Sequence, residues 1–157
     1  MIFFMPQFSY SFQNFEKTKH VRASSRETEI SHKHAREICV AIKGMNLNKA
    51  KEYLENVVVL KQPVPYRRYK NEVAHRSELQ GFPAGRYPVK AAREFLRLLD
   101  NLEANAEYKG MDLDRLAIIH ASSYPGVKIK RFTPRAYGRN SPKYNTLVHI
   151  EVVGMEK

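Results

Sequence analysis

Apolar positions recur at helical spacing in three stretches of this 157-residue chain, and at strand spacing near its end. In the first stretch Ala35, Ile38, Cys39 and Ile42 follow the i, i+3, i+4, i+7 spacing of one helix face. Ser31 stands where an N-cap is preferred, and Gly44 where a C-terminal cap is. A second helix is expected within Asn48–Leu60, with Ala50, Tyr53, Leu54, Val57 and Val58 on one face. The β-branched run Val57–Val59 lowers helix propensity there and blurs its end. The third stretch is the most regular. Pro88 suits a first helical turn, Val89, Ala92, Phe95, Leu96, Leu99, Leu102 and Ala106 form a stripe, and Gly110 stops it. Arg115–Tyr124 alternates and then carries small residues, which predicts a strand, and the β-rich Tyr144–Val153 is its natural antiparallel partner. Lys19–Ser24 is expected to add one further strand, while the rest of residues 6–30 is polar and irregular. The fold class that follows is α+β: three helices packed on a small antiparallel sheet, with a long protruding β-hairpin.

The hairpin is long because of what lies between its strands. Hairpin loops are commonly two to five residues. Here Gly126–Lys143 intervenes, with too few apolar residues to bury a core of its own. If both strands continue through it, the hairpin reaches roughly 60 Å, at about 3.4 Å per residue over about 19 residues a side. A body of this size is only about 30 Å across. The tip would then stand well clear of the fold. The other irregular stretch, residues 61–87, holds no period and is punctuated by Pro63, Pro65, Gly81, Pro83 and Gly85. Loops of that length are functional or disordered more often than plain connectors. The expected organisation is an N-terminal extension (1–18) and a single α+β domain (19–153), closed by a C-terminal tail (154–157). That domain includes the basic loop 61–87 and the arm 115–153.

Charge changes the picture. Lys and Arg number 27 against 16 Asp and Glu, a formal net charge of +11. Residues 61–93 carry +6 and residues 126–143 another +6, so the rest of the chain sums to −1. A neutral body with two cationic elements calls for a polyanionic partner. The lone cysteine, Cys39, excludes an internal disulfide and a cysteine-rich zinc site, and its place on an apolar helix face predicts a buried, inert thiol. No apolar run approaches the ~20 residues needed to span a bilayer, so no membrane partner is expected. The opening Met1–Met5 is too short for a signal-peptide core, and Met5 is a possible second start that would make Met1–Phe4 an upstream extension. A soluble cytoplasmic protein is the expectation.

Candidate chemistry is concentrated in the two basic elements. On the arm, Lys128, Lys130, Arg131, Arg135, Arg139 and Lys143 can neutralise phosphates, while Phe132 and Tyr137 can stack on unpaired bases. In the loop, Tyr66 and Tyr69 flank Arg67 and Arg68, with Lys70, His75 and Arg76 following and Arg86 and Lys90 beyond. Such interleaving of rings and cations suits phosphate gripping with base stacking, unless the tyrosines pack on the body instead. Catalysis is not expected, and neither is a cofactor. His32 and His34 are two apart and diverge, lacking the i, i+4 spacing of helical metal ligands. His120 and His149 could face one another across the hairpin, but a structural or RNA-contacting role outweighs a ligand pair. Asp112 and Asp114 read as turn chemistry, and no phosphate-cradling glycine loop or nucleophile elbow is present.

Several ordered motifs are also familiar. Lys130–Arg139 on the arm, Gly85–Ala92 entering the third helix, Glu103–Glu107 inside it, Pro63–Tyr66 and Ile30–His34 together resemble the large-subunit ribosomal protein family L twenty-two, in its archaeal and eukaryotic branch. The resemblance spans roughly Lys19 to Val153 and departs from that branch at Glu72, Ala74, Glu78, Tyr137 and Asn140. It implies a non-enzymatic constituent of the large ribosomal subunit that binds the large ribosomal RNA and aids its assembly. It also implies a body near the nascent-chain exit and an arm lining the exit tunnel. The implied partners are that RNA, neighbouring large-subunit proteins and the nascent polypeptide. Arg131, Arg135 and Arg139 would be arm contacts to RNA, with Phe132 and Tyr137 near the tip. Two other readings compete: an architectural protein inserting a basic hairpin into a duplex groove, and an RNA-processing enzyme.

Overall fold

The computed structural model describes residues 9–156. The Met1–Phe4 stretch, the rest of the extension up to residue 8, and Lys157 lie outside the described residues. In chain order the elements are β1 (His20–Thr28), α1 (His32–Ile42), α2 (Leu47–Val58), β2 (Val64–Pro65), β3 (Gly85–Arg86), α3 (Val89–Tyr108), β4 (Leu116–Pro134), a 3-10 turn (Ala136–Gly138) and β5 (Asn140–Glu156). The main sheet is antiparallel in the order β1-β5-β4.

The helices form where the apolar spacing predicts them. Ala35, Ile38, Cys39 and Ile42 of α1 are buried. So are Leu47, Ala50, Tyr53, Leu54 and Val57 of α2, and together they meet Val21, Ala23, Ile118, Val148, Ile150 and Val152 of the sheet in one core. Ser31 occupies the N-cap of α1 but makes no side-chain capping bond. Gly44 follows that helix at φ +90°, a conformation costly for any residue with a Cβ, and donates its N–H to the Ile118 carbonyl at 2.7 Å. The stripe on α3 departs from expectation: Ala91 and Leu98 are buried, whereas Val89 and Leu96 are only half-buried. This helix packs against both α2 and β1, so its covered arc is wider than one stripe, and Val89 lies in the first turn outside the core.

Both hairpin strands run further than their apolar alternation extends. They pair from Leu116↔Glu156 to Pro134↔Asn140, so residues 154–156, expected as tail, continue β5. Alternation can be read in sequence only where one face is covered, and no residue between Ile119 and Leu147 is buried. β5 is covered on both faces near its end. Val148, Ile150 and Val152 face the helices, and Glu151 and Val153 face the other way. On that outer side, residues 10–15 of the N-terminal segment lie across the sheet. The Ser11 N–H donates to Glu151 at 3.2 Å, Phe12 meets the rings of His20 and His120 at 5.5 Å, and the Arg22 guanidinium stacks 4.5 Å from the Tyr10 ring.

Two register shifts converge on His149. β1 shifts between Ser25 and Thr28, and β4 between Pro125 and Lys128. The backbone N–H of Glu27, in the shifted part of β1, donates to Nδ1 of His149 at 3.1 Å. Gly126, in the shifted part of β4, lies so close to the same ring that a Cβ there would sit 2.7 Å from its Nε2. Such bulges bend a strand and increase its twist. Here they mark the root of the arm.

Candidate nucleic-acid interface

Strand register sorts the arm residues into two faces. Lys128, Lys130 and Phe132 share one face with Thr146, Tyr144 and Pro142, so Tyr144 lies directly opposite Lys130. The other face holds Arg131 directly opposite Lys143. Like charges in that position repel, because facing Cβ atoms are only about 5 Å apart. Among the described residues, none of the six arm cations forms an ion pair. Arg135 Nε donates to Ser141 Oγ at 3.2 Å, which steadies the last rung. Beyond it the turn is closed by Arg135 N–H to the Arg139 carbonyl at 2.8 Å. Tyr137 and Gly138 both adopt left-handed backbone there, at φ 57° and 63°. Phe132 is 63% and Tyr137 100% exposed. Aromatic rings and unpaired cations thus share a surface that the protein's own core leaves uncovered.

The 61–87 loop is tied down at both ends. The two-residue strands β2 and β3 pair, the Tyr66 N–H donates to the Ala84 carbonyl at 3.0 Å, and His75 bridges to Ala84. Its middle is organised by Glu37 of α1, a fully buried carboxylate. Glu37 Oε2 accepts from the Arg67 N–H, and Oε1 from those of Arg68 and Tyr69, each at 3.0 Å. Three backbone donors, with the Arg36 guanidinium 3.9 Å away, therefore surround one buried carboxylate, and the side chains of Arg67, Arg68 and Lys70 are exposed beside it. The signal in sequence was slight: Glu37 is the one acid in α1, beside the apolar positions Ile38 and Cys39.

The expected loop residues divide. Tyr66 is 1% exposed, so its ring is part of the core and cannot stack on a base; packing on the body has won there. Tyr69 is half-buried between the cations of Lys33 and Arg68, at 5.7 and 5.8 Å from its ring centre. Arg67 is exposed beside the Phe82 ring, and Lys70 and His75 are also exposed. Arg76 is half-buried over the Tyr87 ring at 5.2 Å. Arg86 donates to the Glu72 carbonyl at 3.3 Å. Lys90 pairs with Glu29 at 3.7 Å, and Glu29 also accepts from Asn145 of the arm at 3.0 Å. That link stands at a cleft of about 630 Å³ between the arm root (Tyr144–Thr146) and the first turns of α1 and α3. Loop and arm thus approach one another across the cleft rather than forming one continuous patch.

The remaining candidates resolve as structure. His120 lies opposite Val153 and His149 opposite Tyr124, four residues apart along the hairpin, so the two histidines do not face each other. His120 Nε2 contacts Glu151 at 3.2 Å and Ser11 and Ser122 at 3.0 Å. Cys39 is buried, and that burial pushes its thiol up to about 12, which leaves no reactive thiolate. Asp112 Oδ1 accepts the Asp114 N–H at 3.1 Å, a local turn bond.

Comparison with known proteins adds an independent line. Residues 23–154 match the family described as ribosomal protein L22p/L17e. The large ribosomal subunit protein uL22 of Nitrosopumilus maritimus is 57% identical over 152 residues, covering 97% of this chain and 99% of the relative. Its counterpart in Methanocaldococcus jannaschii is 49% identical over 150 residues, covering 95% of each chain. That of Archaeoglobus fulgidus is 46% identical over 149 residues, covering 95% of this chain and 96% of the relative.

Proposed function

The chain belongs to the ribosomal protein L22p/L17e family, in its archaeal-type branch, and on that premise we propose how its two basic elements serve the ribosome. It is a structural constituent of the large ribosomal subunit in the cytoplasmic ribosome, associated with ribosomal RNA and other ribosomal proteins; it is not an enzyme. The arm lines the polypeptide exit tunnel, beside the nascent chain, and braces RNA during assembly. Lys128, Lys130, Arg131, Arg135, Arg139 and Lys143 contact phosphates, and Phe132 and Tyr137 stack. The loop contributes Arg67, Arg68, Tyr69, Lys70, His75 and Arg76, with Arg86 and Lys90 at its edge.

One observation carries this reading: Arg131 and Lys143 face each other across the arm, and neither has a carboxylate partner among the described residues. A protein folding only for itself gains nothing from that pair. A polyanion laid across both turns repulsion into attraction. If about six phosphates are contacted, affinity for a large-subunit RNA fragment falls roughly 10³-fold between 50 and 200 mM salt. Filter binding over that range checks it, and a near-flat response sinks the reading.

A further inference from the structure

A cavity of about 260 Å³ opens beside the loop, lined by Lys33, His34, Tyr66, Arg68, Asn71 and Arg86 together with the ring of Tyr69. We propose that it is a socket for a single phosphate group, gripped by Lys33, Arg68 and Arg86, with Tyr66 as its uncharged donor.

The three cations arrive from α1, the loop and β3, and none of them has a carboxylate partner among the described residues. No carboxylate lines the cavity either. The carboxylate of Glu37, on the same helix as Lys33, already has its oxygens engaged by the Arg67, Arg68 and Tyr69 N–H groups. Three positive charges lining one cavity repel one another, and an anion bound among them turns that repulsion into attraction. Tyr66 supplies the second sign. Tyr66 lines the cavity, and its buried hydroxyl has no hydrogen-bond partner among the described residues, a rare state for a buried polar group. Burial pushes that phenol well above its ordinary value, so it remains a protonated donor. His34, half-buried with its ring edge-on to Tyr66 at 5.7 Å, is held below its usual value by burial and then by the Arg86 charge. Arg86 holds only the Glu72 carbonyl, at 3.3 Å, and that bond is exposed. The cavity exceeds the roughly 30 Å³ share of one water several times over, which leaves room for a tetrahedral anion.

The phosphate could be a diester of the RNA backbone or a free anion. The socket's chemistry is the same for both, and only the first source rests on the RNA-binding reading above. The test uses the whole protein with inorganic phosphate, followed by NMR, and with a large-subunit RNA fragment, followed by filter binding. Tyr66→Phe removes the hydroxyl without changing charge, Lys33→Gln alters only an exposed side chain, and Arg131→Ala reports on the arm. Phosphate is expected to shift the His34 ring and the amides of residues 66–71, and to raise the His34 pKa. Tyr66→Phe should weaken both phosphate and RNA binding by about tenfold, with a thermal midpoint unchanged or raised, because a lone buried hydroxyl has gone. Lys33→Gln should weaken both as well. A phosphate response with RNA affinity unchanged in both variants keeps the socket and assigns it to a free anion. No phosphate response, with RNA affinity equal to wild type in both variants, overturns the socket; a weakened Arg131→Ala in that same experiment leaves the arm's role standing.

Discussion

A carboxylate buried as completely as that of Glu37 must find donors or lose its charge. It finds three, all from one loop, and the arrangement couples the order of that loop to the core of α1. Removing the side chain leaves those N–H groups without an acceptor in a partly covered place. Glu37→Ala is expected to lower stability by about 3 kcal/mol, on the usual cost of losing hydrogen bonds to a charged group. Urea denaturation measures the loss, and amide hydrogen exchange should show protection vanishing at residues 67–69. Glu37→Gln keeps one acceptor oxygen and should lose less. If exchange at those amides is unchanged in the alanine variant, Glu37 is not what orders the loop. Tyr66 and Tyr69 teach a related lesson. They are three residues apart in a run that reads as uniformly cationic and aromatic, yet one is sunk in the core and the other is half-buried at its edge. Without a period, nothing in the local sequence separates them.

The helices were legible because each buries a face whose residues recur at helical spacing, although the face of α3 is wider than one stripe. The strands were legible only over the stretch where they cover that core, so Arg115–Tyr124 and Tyr144–Val153 stood out while the outer rungs did not. The β2–β3 pair was invisible, since two residues on each side carry no alternation at all. Residues 10–15 were missed for another reason: their docking depends on Glu151 and His120, more than a hundred residues away. Glu151 also makes that docking sensitive to acid. Burial alone would raise its carboxyl, but hydrogen bonds from Ser11, Ser122 and His120 outweigh burial and hold it below the usual carboxylate range. The folded state therefore releases the proton more readily than the unfolded chain does. The stabilisation is complete above about pH 4.5, the ordinary glutamate value, and is lost as pH falls through the lower folded value. Limited proteolysis between pH 6 and 3 is expected to show cleavage of residues 9–15 before global unfolding. Ser11→Ala should move that onset to higher pH. Simultaneous loss of the segment and the core would show that the two are one cooperative unit.

At the scale of the whole molecule, charge and burial are partitioned together. The core lies among the three helices and the inner half of the sheet, and that part of the chain is close to neutral. The cations are carried by the outer arm, which adds nothing to that core, and by a loop anchored to it through Val64 and Tyr66. Deleting Lys128–Arg139 is therefore expected to leave the helical circular dichroism and the thermal midpoint close to wild type, while RNA affinity drops by at least a hundredfold with about five phosphate contacts gone. Collapse of the helical signal would mean that the outer rungs support the body after all. The bulges around His149 have a geometric consequence for what remains attached. From Gly126 to Tyr137 the arm is about 37 Å long, at roughly 3.4 Å per residue, so it acts as a lever with a short fulcrum. Tilting the root by about 10° would carry the far end some 6 Å, more than one strand spacing. The aim of the arm is thus set not by the cations and rings proposed to meet RNA but by a glycine, an imidazole and one backbone N–H at its base.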